Sequence, residues 1–184
     1  MTRAAEEAVR GLWRVLDARD YDGIADWVTD DCIYLDMPVG PAFAARGPAD
    51  IAKRLQVGWG GLAAYENHDG LLLTGGDDVM YEHSETWTFT SGEVLELPFV
   101  SVHRVRDGRV TLWKDYWDFN ALTSAAPSSW LDSLATADTS WLFDASGLDL
   151  PSARPSTLPT TSRTAAGRDR SGSPRRAPVR PPRS

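Results

Sequence analysis

Apolar residues recur at helical spacing near the start of the chain: Val9, Leu12, Trp13 and Leu16 fall on one face, with charged residues between them. The pattern predicts an amphipathic helix over Ala4 to Ala18 with one buried face. A short second helix carrying Ile24, Trp27 and Val28 is predicted with Asp22 as its cap. A third has Pro48 in its first turn and Ile51 and Leu55 one turn apart. Between them Cys32 to Met37 is short, rich in strand formers and followed by Pro38, which predicts a strand leading into a loop. From Tyr65 onward the period changes to alternation, and the breaks carry turn chemistry: Gly75-Gly76-Asp77-Asp78, Ser91-Gly92 and Asp107-Gly108. This is the pattern of an antiparallel meander. Helical spacing returns over Ser128 to Ala135, where Trp130 and Leu134 share a side, placed to close a mouth or to serve a dimer contact. Helices first and sheet after predict an α+β domain in which helices cover one face of a curved antiparallel sheet and enclose an interior.

Taking the last two hairpins as two-residue loops pairs Thr90 with Glu93 and Arg106 with Arg109, and the later pairs follow by counting outward. His83, Val100 and Asp115 then fall in one row, flanked by a row of Glu85, Pro98 and Trp117 and another of Tyr81, Val102 and Trp113. Tyr81, His83, Glu85, Trp87 and Phe89 share one face with Trp113, Asp115 and Trp117. Glu82, Ser84, Thr86 and Thr88 occupy the alternate positions, so the aromatic face is the one expected to be buried. His83 and Asp115 would stand about two strand spacings apart, roughly 9.6 Å between backbones, with curvature bringing their tips together. An aromatic face carrying three ionisable groups has the composition of a small-molecule pocket. The same counting points His103 to the opposite face, and His68 has no placed partner.

Charge divides the 184 residues unevenly. Residues 1–150 hold 11 basic and 25 acidic side chains, a net −14, whereas residues 151–184 hold 8 and 1, a net +7, together with 7 of the 12 prolines. All 8 Trp, 5 Tyr and 5 Phe precede residue 144, so a core can close only in the body. The expected organisation is one domain over residues 1–145 and a disordered Pro/Arg/Ser-rich basic tail over 146–184. A body so acidic repels phosphate, which excludes nucleic acid and anionic membrane as partners of the folded part. Cys32 has no second cysteine to pair with, the first ten residues lack a secretory pattern, and no apolar run approaches a membrane span. A cytoplasmic location is expected. Scattered histidines and one cysteine offer no metal-ligand spacing, and Gly58-Trp59-Gly60-Gly61 follows a helix and opens none, so no metal and no cofactor are expected.

The order of elements, the segment Ile33-Tyr34-Leu35-Asp36-Met37-Pro38 and the segment Trp113-Lys114-Asp115-Tyr116-Trp117-Asp118 resemble the nuclear transport factor 2-like superfamily over roughly residues 5 to 125. More narrowly they resemble the limonene-1,2-epoxide hydrolase branch and its relatives, the SnoaL-like polyketide cyclases and isomerases. The resemblance implies a cone: a strongly curved antiparallel sheet wrapped over N-terminal helices, a deep apolar pocket and often a homodimer across the outer sheet face. The aspartate of the Trp-Arg-Asp-Tyr-Phe-Asp motif of the epoxide hydrolases matches Asp115. Their water-holding Tyr-x-Asn matches Tyr34 and Asp36, with Asn replaced by Asp. Their Arg-x-Asp, in which arginine bridges two carboxylates, matches His83 and Glu85, with both residues changed.

Three functions follow from these residues. In the first, Asp115 activates water, Glu85 with His83 protonates an epoxide oxygen, and Tyr34 and Asp36 orient the water on a small hydrophobic substrate. In the second, His83 with Asp115, or Asp36, moves a proton next to a carbonyl, as in a cyclase, isomerase or dehydratase. The third is a ligand-binding module without catalysis. Substrate-lining residues are expected to be Trp87, Trp113, Trp117, Val100, Met37, Phe43 and Tyr81.

Overall fold

A computed structural model of the chain describes residues 2–150, with side chains from residue 3. From residue 151 onward the expected tail lies outside the described residues.

Helix α1 (Thr2–Asp17) buries Ala5, Ala8, Val9, Leu12, Trp13 and Leu16, the three-and-four spacing that an apolar stripe requires. Helix α2 (Ile24–Trp27) is one turn long. Asp22 is not its cap: Gly23 holds the cap position without a side-chain bond, and the Gly23 amide donates to Asp20. Strand β1 (Val28–Asp36) starts earlier than its sequence pattern predicts, because Val28 already pairs with Val110. After a single 3₁₀ turn at Pro41–Phe43 come the two-residue strand β2 (Ala45–Arg46) and helix α3 (Gly47–Trp59), which has proline in its first turn and buries Ile51, Leu55 and Trp59.

The alternating half of the chain forms β3 (Leu62–Gly75), β4 (Asp78–Phe89), β5 (Val94–Arg106) and β6 (Arg109–Trp117), each antiparallel to the next. The sheet order is β2-β1-β6-β5-β4-β3. Strand β1 runs parallel to β6 and antiparallel to β2, so the sheet is mixed at that end. Two further helices, α4 (Phe119–Ala125) and α5 (Ser128–Thr136), follow β6. Asp118 caps α4 by accepting from the Asn120 and Ala121 amides. The chain then returns to pair Phe143 with Ala44. Among the described residues no helix is long and apolar enough to cross a membrane.

The counted register fails at both hairpins, each time by one residue. Between β4 and β5 the loop holds three residues instead of two: the Phe89 amide donates to the Glu93 carbonyl, and Gly92 takes a φ of +103°. Thr88 therefore faces Val94, and Thr90 is unpaired in the ladder. Between β5 and β6 Arg106 does face Arg109 across Asp107 and Gly108, both at positive φ, but a bulge one pair further on makes Arg104 face Leu112. Because the shifts cancel in parity, β4 and β6 present the expected residues to the interior. On β5 the parity flips: Leu97, Phe99, Ser101, His103 and Val105 are buried, and Pro98 and Val100 turn outward.

Candidate active site

Helices α1, α3, α4 and α5 and the inner face of the sheet enclose a cavity of about 90 Å³. Six of the eight tryptophans line it, namely Trp13, Trp59, Trp87, Trp113, Trp117 and Trp130, together with Phe99 and Leu122. Into this apolar enclosure project Tyr34 and Asp36 from β1, Arg54 from α3, Glu85 from β4 and Asp115 from β6. Alternation places them: Tyr34 and Asp36 are two apart on β1, and β6 pairs in parallel so that Asp36 lies beside Asp115.

Each carboxylate is held by an indole N–H. Trp113 donates to Oδ1 of Asp115 at 2.5 Å, Trp87 to Oε2 of Glu85 at 2.8 Å, and Trp117 to Oδ1 of Asp36. Ser101 also donates to Oδ1 of Asp115, at 2.5 Å. Asp36 differs from the other two, because Arg54 reaches its second oxygen at 3.0 Å and makes an ion pair. Tyr65, from β3, sets its phenol beside Glu85, and its hydroxyl has no ordinary hydrogen-bond partner.

Burial dominates the electrostatics. It pushes the Asp115 carboxyl up to about 7, opposed by the hydrogen bonds of Ser101, Trp113 and Tyr34 and assisted by the charge on Asp36. It pushes Glu85 up to about 8, with the charges of Asp115 and Asp36 adding to the rise and the Trp87 bond opposing it. Asp36 is also raised by burial, and Arg54 and the Trp117 bond restrain it. Tyr34 is pushed well above the ordinary tyrosine value by burial, so it stays a neutral phenol. Two buried carboxyls are thus raised toward neutral pH within a single enclosure, the condition that acid–base work requires.

The profile of the SnoaL-like domain matches residues 9–113, more than half of the chain. The chain belongs to the SnoaL-like domain family. Solved structures agree with that fold. An epoxide hydrolase from M. tuberculosis, of the limonene epoxide hydrolase-like type, is 24% identical at a TM-score of 0.58, covering 73% of this chain and 96% of its own. TerC, crystallised with polyporic acid, is 22% identical at a TM-score of 0.60, covering 66% and 97%. A protein from Xanthomonas campestris pv. campestris, named as a proposed polyketide cyclase, is 19% identical at a TM-score of 0.60, covering 67% and 97%. No curated protein matches the chain.

In this SnoaL-like domain Asp115, Glu85, Asp36, Tyr34, Trp87, Trp113 and Trp117 all meet in the cavity. His83 does not. Its ring lies between Tyr81 and Phe99, with centroids at 4.7 and 5.3 Å and planes within 9° and 18°, and behind Trp13 at 4.2 Å. It therefore bridges no pair of carboxylates, and Arg54, on a different element, is the cation that faces the carboxylates in the cavity. Tyr81 lines a separate cleft against α1 with Arg10 and Asp69, and its hydroxyl donates to Asp69. Val100 sits on the outer face, as the flipped parity of β5 requires. Phe43 is 45% exposed on the 3₁₀ turn, and Met37 is outside the cavity wall, its amide bonded to the Asp115 carbonyl. His103 is the opposite correction: it points inward, is fully buried and accepts from the Trp13 indole at 3.4 Å. Sequence reasoning missed Ser101, Arg54 and Tyr65. Ser101 would have emerged only with the bulge between Val110 and Leu112, which is what makes it face Asp115.

Proposed function

We propose that this SnoaL-like domain is a cofactor-independent acid–base enzyme that opens a small hydrophobic epoxide with water. The observation that carries the proposal is the pair of buried carboxyls in one tryptophan-lined cavity, Asp115 near 7 and Glu85 near 8. Asp115, ionised, takes a proton from water as the water oxygen bonds to an epoxide carbon. Glu85, protonated, gives its proton to the epoxide oxygen as the carbon–oxygen bond breaks. The product is a diol, and the proton left on Asp115 passes through solvent to restore Glu85. Tyr34, bonded to Asp115 and neutral, is placed to hold the water. The epoxide hydrolase from M. tuberculosis shares this fold, which supports the choice without deciding it.

A second reading rests on Asp36. Both its oxygens are taken, by Arg54 and Trp117, so it is poorly placed to orient water, and Asp115 could instead remove a proton beside a carbonyl while Glu85 protonates the oxygen. That is the chemistry of a cyclase or isomerase. Turnover of terpenoid, aliphatic and polyketide-like epoxides in ¹⁸O-water separates the two. Labelled diol from the wild type and none from Asp115→Asn supports hydrolysis, and proton exchange at carbon without labelled diol supports the second reading. The homodimer expected from the resemblance would use the outer sheet face, where exposed Leu73 and Met80 pair across β3 and β4, and sedimentation equilibrium tests it.

A further inference from the structure

Beside Asp115, outside the cavity lining, two polar side chains are buried. Ser101 is 0% exposed and His83 3%. They form a chain with the carboxylate: His83 Nε2 lies 3.0 Å from the Ser101 hydroxyl oxygen, and that hydroxyl lies 2.5 Å from Oδ1 of Asp115. The other ring nitrogen of His83, Nδ1, is buried and has no hydrogen-bond partner.

Donor and acceptor roles in this chain are not free. An ionised carboxylate only accepts, so Ser101 must donate to it. The serine hydroxyl has one hydrogen, so toward His83 it can only accept, and Nε2 must carry a proton. A cationic imidazole would also carry one on Nδ1, where no acceptor waits. The surroundings oppose that charge: Tyr81, Phe99 and Trp13 enclose the ring, and burial lowers its pKa to about 3. The groups that bear on the ring electrostatically are Asp69 from β3, which favours the cation, and His103 from β5, whose own pKa burial also lowers to about 3.

We propose that Ser101 and His83 are the positioning pair of the acid–base site: the neutral Nε2–H imidazole aims the serine hydroxyl at Oδ1 of Asp115, leaving Oδ2 as the oxygen that exchanges a proton with water or substrate. The proposal rests on the role given to Asp115 above. Trp113 donates to the same Oδ1, so two donors hold one oxygen and neither holds the other. The pair also favours the ionised form of Asp115, since the Ser101 bond is the strongest influence working against its burial. Where the family pattern places a bridging arginine charge, this chain has a neutral histidine acting through a hydroxyl, with no charge of its own to titrate.

Two measurements test this on the intact chain. Long-range ¹H–¹⁵N correlation of the histidine rings should show His83 neutral and protonated on Nε2 from pH 5 to 9. A His83 that titrates near 6.5, or that carries its proton on Nδ1, overturns the proposal. Carboxyl ¹³C titration, with Asp115→Asn identifying the resonance, should show the Asp115 midpoint rising by about one unit in Ser101→Ala, with Ser101→Thr restoring it. A midpoint unmoved in Ser101→Ala overturns the proposal. If Ser101→Ala fails to fold, His83→Phe, which keeps the ring stack and removes the donor, should move the midpoint the same way. Neither readout needs turnover, so a shift seen in a protein inactive on every epoxide keeps the positioning pair and discards the hydrolase reading. Where turnover is found, Ser101→Ala should be slow at pH 7 and approach wild type at high pH, whereas a structural defect lowers the rate at every pH.

Discussion

Arg54 and Asp36 face each other at 3.0 Å across the cavity wall, one from the third helix and one from the first strand, with side chains only 16% and 11% exposed. A pair this enclosed differs from the exposed Arg10–Glu6 and Arg14–Glu7 pairs of α1, because removing one partner leaves the other buried and uncompensated. Arg54→Met should destabilise the fold by about 3 kcal/mol, the lower end of the range for broken buried pairs. The double variant Arg54→Met with Asp36→Leu should recover much of that loss. Urea unfolding of the four proteins gives the coupling energy, and a coupling below about 0.5 kcal/mol would show the pair to be incidental.

The pH dependence of turnover follows from the two raised carboxyls. The base must be ionised and the acid protonated, so kcat/KM should peak between about 7 and about 8 and fall tenfold per unit on either side. The charge on Asp115 raises Glu85, so the measured limbs belong to the pair. Glu85→Gln should remove the alkaline limb and lower the rate by about 10²- to 10⁴-fold. An unchanged alkaline limb in Glu85→Gln would remove Glu85 from the acid role.

Much of this arrangement was legible in the sequence. Alternation grouped Glu85 with Trp87 on one strand and Asp115 with Trp113 and Trp117 on another, two register errors that cancel in parity put both sets on one face, and the family resemblance tied Tyr34 and Asp36 to them. The fifth strand was not legible, because its parity depends on one extra loop residue at Gly92 and one bulge residue at Thr111, and neither leaves a mark in hydrophobic periodicity. The consequence was concentrated: Val100 and His103 were assigned to the wrong faces and Ser101 was overlooked. Arg54 was hidden for another reason. A single arginine on a helix reads as a solvated residue, and only the approach of α3 to β1 reveals the carboxylate it serves.

Stability should depend on pH in the opposite sense to that of ordinary ion-paired carboxylates. Asp115 and Glu85 bind their protons more tightly folded, near 7 and 8, than unfolded, near 4. Their contribution is complete below about pH 4 and is lost as pH rises through 7 and 8, because the folded state then has to ionise buried groups. Glu85→Gln removes one such group and should gain about 4 kcal/mol on wild type between pH 5 and pH 9. Thermal unfolding at the two pH values checks this, and a variant that gains nothing between them contradicts the burial of an ionisable Glu85.

Gly61 lies directly against Trp130, a residue of the cavity wall. A Cβ at this position would stand 2.7 Å from Cδ1 of Trp130, which lines the cavity with Leu134 of the same helix and donates its indole N–H to the Gly58 carbonyl at 3.0 Å. The indole cannot yield easily, since it packs edge-on against Trp87 and Phe89 at 6.0 and 5.6 Å. Gly61→Ala should therefore push Trp130 and its helix outward, at about 1–3 kcal/mol of stability. Asp115 and Glu85 sit on β6 and β4 and not on α5. The chemistry should be preserved while substrate retention weakens: KM several-fold higher, kcat near wild type. Gly58→Ala is a control for stability alone, because Gly58 also lines the cavity: a Cβ there meets nothing within 4 Å and the position is helical, so alanine should be neutral or stabilising by up to about 1 kcal/mol. A KM unchanged from wild type in Gly61→Ala would show that α5 does not close the cavity. A fall in kcat confined to Gly61→Ala would mean that Trp130 also fixes the orientation of substrate against Glu85.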